Sequence, residues 1–408
     1  MTSASNPIDR WSVYTAAGFL AFCGMLIYSI MPLVVHALHL RYGFREAQSG
    51  DILGYYFGGV TAVSLTTFAW IRRINWRTIA AVGQAIAVVT LFATMAANDF
   101  LQLSILMGIS GVGSGMTYAL MLTLLGDSDD ADRAFAINLV FQAVPAVLML
   151  LLLPLIFVND ATDMRRLSFV MGTTMLVLSA GVWWLPRSGR KGTVKPNAAH
   201  QAAERTALGL PLLGIFITFL FMMSCTAPWT FIEEAAGERG IDGVFVGLAL
   251  AGSMFAAVIG SVAAAIIGDR FGKLRPVCIG AVVYVVGILL LHVFHTRGIF
   301  ALGAFLFYLP SNFLLAYSLG LTAEVDTGGR LIGVSTASML GAPLIGPPIA
   351  GRLYEAYGFA SNLMMGLVSV LLGAVFYAIL LQIGHRTARR GSANAEAVDA
   401  TVIESTHL

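Results

Sequence analysis

Twelve stretches of at least 20 residues run through this chain without a single Asp, Glu, Lys or Arg: 11–40, 52–71, 78–98, 100–126, 134–159, 167–186, 206–232, 243–268, 276–296, 298–323, 331–351 and 356–385. A helix of about 20 uncharged residues covers the hydrocarbon layer of a bilayer, where an unpaired charge is costly. Leu, Val, Ala, Ile, Phe and Gly fill these stretches, and polar turns such as Asn98-Asp99, Asn159-Asp160 and His295-Thr296-Arg297 separate them. None alternates with the two-residue period of a barrel strand. The expectation is an all-α membrane protein of twelve spans. The composition agrees: 58% hydrophobic and 11% charged residues leave far fewer charges than the roughly one quarter that a water-facing domain carries.

Lys and Arg distribution sets the orientation. With the N-terminus inside, the inner segments hold 17 basic residues and the outer ones seven, Arg41, Arg45, Arg165, Arg166, Arg239, Arg297 and Arg352. Both termini are expected in the cytoplasm and the chain in the cytoplasmic (inner) membrane. The first span is too long for a cleavable signal peptide and no small-residue cleavage site follows a short apolar core. Cys23, Cys225 and Cys278 all lie inside apolar spans and read as packing residues, without disulfide or zinc spacing. Basic residues form no stripe with interleaved aromatics, so no nucleic acid is expected as a partner. No Gly-rich turn ends in Gly-Lys-Ser/Thr, which excludes direct use of ATP.

The longest internal polar stretch divides the spans six and six. The organisation read from it is an N-terminal six-helix bundle over 1–186, a cytoplasmic linker over 187–207, a C-terminal bundle over 208–385 and a disordered cytoplasmic tail over 386–408. The halves repeat. The turn Ile71-Arg72-Arg73-Ile74-Asn75-Trp76-Arg77 matches Asp269-Arg270-Phe271-Gly272-Lys273-Leu274-Arg275 at an offset of 198 residues. Tyr118-Ala119-Leu120-Met121-Leu122-Thr123, with Asp127 and Arg133, matches Tyr317-Ser318-Leu319-Gly320-Leu321-Thr322, with Asp326 and Arg330, at 199. Two motifs at nearly one offset point to pseudo-symmetric repeats.

The segment Gly268 to Arg275 resembles the signature loop of the major facilitator superfamily: Asp269, Arg270, Gly272, Lys273 and Arg275 agree, and Ala265 replaces the first Gly. The resemblance covers the whole chain. In the first copy Ile71 and Asn75 stand for the acid and the Gly. By resemblance, the acid and Arg of the span 4–5 and 10–11 loops are the charged partners of this loop. Asp269 at the inner end of span 8 can pair with Arg330 and hold the cytoplasmic side shut, so Asp269, Arg270, Asp326 and Arg330 are the expected inner gate.

The resemblance also implies a mid-membrane substrate cavity lined by spans 1, 2, 4 and 5 and by 7, 8, 10 and 11. Polar and aromatic residues deep in those spans are the substrate-binding candidates: Tyr28, Tyr55, Asn138, Gln142, Trp229, Tyr308 and Asn312. Asn138 with Gln142, and Tyr308 with Asn312, are four residues apart and share a helical face. Tyr56, Tyr118 and Tyr317 are further aromatics for which packing is the simpler role. No Lys or Arg lies at mid-membrane, so a fixed anion site is not expected. Pro32 and Pro228, 196 residues apart, place His36 and Glu233 at similar heights, and with Asp51 these are the candidates for proton coupling or an outer gate. Gly108, Gly111, Gly113 and Gly115 on span 4 allow close packing, and Gly341, Gly346, Pro347, Pro348 and Gly351 are expected to break or bend span 11.

These features indicate a secondary transporter that moves a small neutral or amphipathic organic solute by alternating access, with protons, and not an enzyme. The Gly-Pro-Gly-Gly pattern of the family's drug antiporters is absent from span 5, which tips the balance to uptake; proton-driven efflux and a transport-inactive sensor are the alternatives. Asp127, Asp129, Asp130 and Asp132 lack the Gly and closing Glu of a calcium loop and read as a solvated turn, so neither metal nor cofactor is expected. The expected partners are the substrate, protons and the lipid bilayer, with the protein as a monomer.

Overall fold

The computed structural model describes residues 7–156, 164–189, 209–325 and 332–406. Regular structure there is helical. The N-terminal set comprises α1 (Trp11–Ser29), α2 (Met31–Tyr42), α3 (Glu46–Trp70), α4 (Trp76–Thr94), α5 (Phe100–Gly126), α6 (Ala131–Ile156) and α7 (Met164–Leu178); the C-terminal set comprises α8 (Gly209–Glu238), α9 (Gly243–Ile267), α10 (Leu274–Val293), α11 (Arg297–Val325), α12 (Ile332–Tyr357) and α13 (Phe359–Thr406). Short 3₁₀ turns cover Pro7–Asp9 and Ser179–Trp184.

Among the described residues ten helices are long and apolar enough to cross a membrane by length and composition. Of the spans expected from the sequence, those corresponding to α3 and α12 fall outside this group. Both are rich in Gly, Pro, Ser or Thr, and they pack against each other.

Local chemistry sets the ends of these helices. Asn75, Asp99 and Asp242 cap α4, α5 and α9 by accepting from the backbone N–H of Arg77, Gln102 and Phe245 at 2.9, 2.8 and 3.2 Å. Gly43, in the left-handed region at φ 63°, closes α2. Between α1 and α2 the helix breaks at Ile30, just before Met31-Pro32. By contrast α12 continues as a helix through Pro343, Pro347 and Pro348, so the break expected there is not made. α13 likewise runs on to Thr406, through the tail expected to be disordered; the Ala-rich sequence favours a helix over an irregular chain.

Small residues bring helices into backbone contact, as the span 4 glycines indicated. A side chain at Gly111 of α5 would strike the carbonyl of Tyr56 on α3, and one at Gly113 the carbonyl of Gly83 on α4. The seam between the two helix sets is built alike: Gly50 faces Pro347 and Gly54 faces Pro348. Across the same seam, Gly247 of α9 meets Pro154 and Leu150 of α6. Cys23 and Cys225 are buried as expected, whereas Cys278 is exposed on α10 and does not pack inward.

Candidate functional site

Prolines position the centre of the seam. Pro32 carries no N–H, so the carbonyl of Tyr28, four residues earlier, lacks its helical donor. Trp229 of α8 supplies one, its Nε1–H donating to the Tyr28 carbonyl at 3.1 Å. The symmetry-related Pro228 frees the Ser224 carbonyl, which accepts from the hydroxyl of Tyr284 on α10 at 2.6 Å. The fully buried Trp229 ring lies stacked on Tyr308 of α11, with centroids 4.4 Å apart and planes at 28°. Tyr28 presents its ring edge-on to Phe57 at 6.2 Å, and Thr230 donates to the Met31 sulfur at 2.9 Å. Tyr28, Trp229 and Tyr308 therefore form one constellation, with Asn312 one turn further along α11, half-buried and with no hydrogen bond to the described residues.

The other substrate candidates lie elsewhere. Asn138 of α6 is buried and donates to the Gln142 side chain at 3.5 Å, so the two amides spend part of their capacity on each other, while Asn138 Oδ1 has no partner. Tyr55 is 54% exposed and lines a surface groove with Asp51, Gly54, Gly58, Leu344 and Pro348, apart from the Trp229–Tyr308 stack. Its neighbour Tyr56 is the buried one, directed at the Gly24 carbonyl 3.5 Å away. Tyr118 is buried against Gly24, and the Tyr317 hydroxyl donates to the Gly268 carbonyl at 2.7 Å, consistent with packing.

At the end away from the basic loops the two helix sets are pinned by charges. The Arg352 guanidinium of α12 donates to both Asp51 oxygens at 2.7 and 3.0 Å, and the Ala47 N–H donates to Glu355 at 3.0 Å. His36 Nδ1 lies 3.1 Å from Glu234 Oε2, and His39 lies 4.0 Å from the other oxygen of Glu234. Of the two adjacent carboxylates at the height of His36, Glu234 is the one that pairs with it. Adjacent helical positions point about 100° apart, and the phase of α8 gives Glu234 to His36. Glu233 turns inward instead, buried, with Oε2 unpartnered.

At the basic end, the degenerate first copy of the loop makes a strong pair of its own. Arg72 binds Asp127 through two bonds of 2.8 Å, which hold the guanidinium pKa above its ordinary value. Both residues belong to the N-terminal set. The acid of the span 4–5 loop, which the resemblance named as a charged partner of this loop, thus meets Arg72 in the copy that has Ile71 in place of its own acid. In the second copy Asp269 and Arg270 are exposed, and their expected partners Asp326 and Arg330 lie outside the described residues. No group of three metal-ligating side chains occurs among the described residues.

Comparison with known proteins places this architecture. A family model described as the Major Facilitator Superfamily matches residues 214–405. No curated protein matches the sequence. Among solved structures, a D-xylose-proton symporter is similar at a TM-score of 0.71 and 14% identity, over 89% of this chain and 97% of that one. The nucleoside transporter NupG, as a D323A mutant, is similar at 0.67 and 12%, over 90% and 98%. The structural likeness extends the family's fold beyond the matched C-terminal residues to the rest of the chain. The C-terminal residues 214–405 thus match the Major Facilitator Superfamily model, and the chain as a whole shares the helical fold of these solved transporters.

Proposed function

We propose that the protein is a secondary active transporter that carries a small neutral or amphipathic organic solute across the cytoplasmic membrane by alternating access, coupled to protons and working in uptake. The observation that carries this reading is the closure of the seam at the end away from the basic loops, seen among the described residues. Asp51–Arg352 and His36–Glu234 tie the two helix sets at the end away from the basic loops and Trp229–Tyr28 ties them at the centre of the seam, while among the described residues Arg72–Asp127 at the basic end stays within one set. The positive-inside bias makes the closed end the outer one and puts both termini in the cytoplasm. This arrangement is that of an outward-closed carrier, whose opposite state requires only that the outer ties part.

Trp229 and Tyr308, with Tyr28 and Asn312, form the substrate region beneath the closed end; Asn138 and Gln142 border it from α6. His36, Glu233 and Glu234 form the proton-responsive outer group: His36 and His39 on α2 face Glu234, and Glu233 is buried beside them. Asp269 and Arg270, with Asp326 and Arg330, would close the inner end in the other state. The activities of the similar solved structures, a D-xylose-proton symporter and a nucleoside transporter, support symport of organic solutes.

Purified protein in proteoliposomes, given pooled sugars, nucleosides, amino acids and neutral aromatics, tests the proposal under an imposed pH gradient. Proton movement that depends on one of these solutes, and falls in Glu233→Gln, is the expected result. Proton counter-movement would turn the reading to efflux, and no solute-dependent flux from any pool would leave a transport-inactive sensor.

A further inference from the structure

Hydroxyl-rich solutes need many free donors and acceptors, since each buried hydroxyl left unpaired costs free energy. Among the described residues the seam has few to give. The Trp229 indole is committed to Tyr28, Thr230 to Met31, Thr226 to its own helix at the Met222 carbonyl (2.8 Å), and Thr218 lies 3.2 Å from Ser318 with its hydroxyl also at the Gly214 carbonyl. Thr61 donates across the seam to the Leu340 carbonyl at 3.4 Å. Of the amides, Gln142 holds Asn138. Asn312 is the one amide of the candidate group with no bond to the described residues.

Next to that amide along α11, Leu315 packs on a group of thioethers and a ring. A cluster separate from the main core joins Met222 and Met223 of α8 to Ala342 of α12, with the half-buried Tyr28, Leu315 and Met339 packed against it. Tyr28 comes from the N-terminal set and the others from the C-terminal set, so the cluster lies where the two sets meet. Leu315 is three residues from Asn312 and shares its face of α11, while Tyr308, one turn earlier, carries the Trp229 stack. Unbranched Met side chains adapt to different apolar shapes, and their sulfur makes favourable contacts with aromatic edges.

We infer that the substrate is a neutral, largely apolar aromatic molecule with one polar group for Asn312, and not a polyhydroxylated sugar or nucleoside. This rests on the transporter reading above. The Met cluster and the Trp229–Tyr308 stack take the aromatic body, and Asn312 reads the single polar group.

The test uses the full chain in lipid nanodiscs, with 4-phenylphenol, uridine and D-xylose as probes and the thermal unfolding midpoint as readout, because a ligand bound only by the folded state raises it. A saturable rise with 4-phenylphenol, and none with uridine or D-xylose at the same concentrations, is expected. Asn312→Leu should weaken the apparent affinity about three- to tenfold, as loss of one hydrogen bond of about 0.5–1.5 kcal/mol does, and Met339→Gln should weaken it also. Leu302→Ala, on the exposed face of α11, serves as control for lipid-partitioned probe. Melting of the unliganded variants reports their folding, and Asn312→Ser provides a second test of the anchor. A 4-phenylphenol response equal in all variants overturns the inference. Flux of uridine or D-xylose in proteoliposomes, with 4-phenylphenol inert, overturns the substrate class and leaves the transporter intact, whereas no binding and no flux for any probe overturns both.

Discussion

The indole N–H of Trp229 donates across the seam to the carbonyl of Tyr28, taking the place of the backbone donor that Pro32 lacks. A carbonyl that the kink deprives of its donor four residues on is thereby made into a tie between the two helix sets. The same device inside the C-terminal set, Tyr284 on the carbonyl freed by Pro228, makes no cross-seam bond. The two prolines thus mark one helix that is satisfied by the opposite set and one that is satisfied at home.

Trp229→Phe keeps a ring to stack on Tyr308 and removes the donor. The closed outer end should lose roughly 1 kcal/mol, about a fivefold shift in the ratio of closed to open molecules. Spin labels at the exposed positions Leu40 and Gly237 place one probe on each side of that end. Pulsed electron resonance should then show a longer-distance population growing in the variant; an unchanged distribution would mean that the bond only fills a kink.

The Asp51–Arg352 pair is partly exposed, its side chains 28% and 59% accessible, so its contribution is bounded at about 0.2–1 kcal/mol by solvent screening. Asp51→Arg alone brings two like charges together and should open the outer end in the same measurement. The double reversal, Asp51→Arg with Arg352→Asp, should restore closure. Failure of the reversal to restore it would remove the pair from the gate.

The helices were legible because hydrocarbon forbids charge, and Arg, Lys, Asp and Glu mark where each span ends. The close approaches of α5 were legible for a similar reason: glycine removes a Cβ. What the sequence could not resolve was the rotation of each helix about its axis. Tyr55 and Tyr56 are both aromatic and adjacent, yet one is exposed beside Asp51 and the other is buried at Gly24. Glu233 and Glu234 divide in the same way. Without a charge-free and a charged face to set the phase, composition gives both members of each pair the same standing. The Arg72–Asp127 pair, 55 residues apart in sequence, came within reach only through the resemblance, which named the acid of the span 4–5 loop as a partner but not the Arg it meets.

Backbone contact at Gly111 gives a packing prediction. Gly111→Val drives a side chain into the Tyr56 carbonyl, which a packed helix pair cannot move aside, and should cost about 1–3 kcal/mol by overpacking. The thermal unfolding midpoint in detergent should fall accordingly. Gly126→Ala, at the exposed end of α5 with nothing within 4 Å of the added carbon, should leave it unchanged; equal effects at both positions would show that helix propensity and not contact governs α5.

A single carboxylate anchors the chain's start at the basic end. Asp9 Oδ1 accepts from the Ser128 hydroxyl at 2.6 Å and the Tyr14 hydroxyl at 2.7 Å, joining the first 3₁₀ turn and α1 to the loop before α6. Burial alone would raise its pKa, but the bonds from Ser128, Tyr14 and the Asp129 N–H outweigh it, and the pKa sits below the ordinary value of 3.8. A carboxyl with a depressed folded pKa contributes stability that is complete above its unfolded pKa and is lost as pH falls through the folded one. The anchor should therefore hold at neutral pH and release only below about pH 3.8. Trp11 packs edge-on to Tyr14 with centroids 6.4 Å apart and reports the event. With fluorotryptophan in the protein, the Trp11 resonance, assigned by its loss in Trp11→Phe, should move on acidification with a midpoint below 3.8, and Asp9→Asn should hold it at the acid position at every pH. A midpoint above 3.8, or an Asn variant that still titrates, would assign the transition to another group.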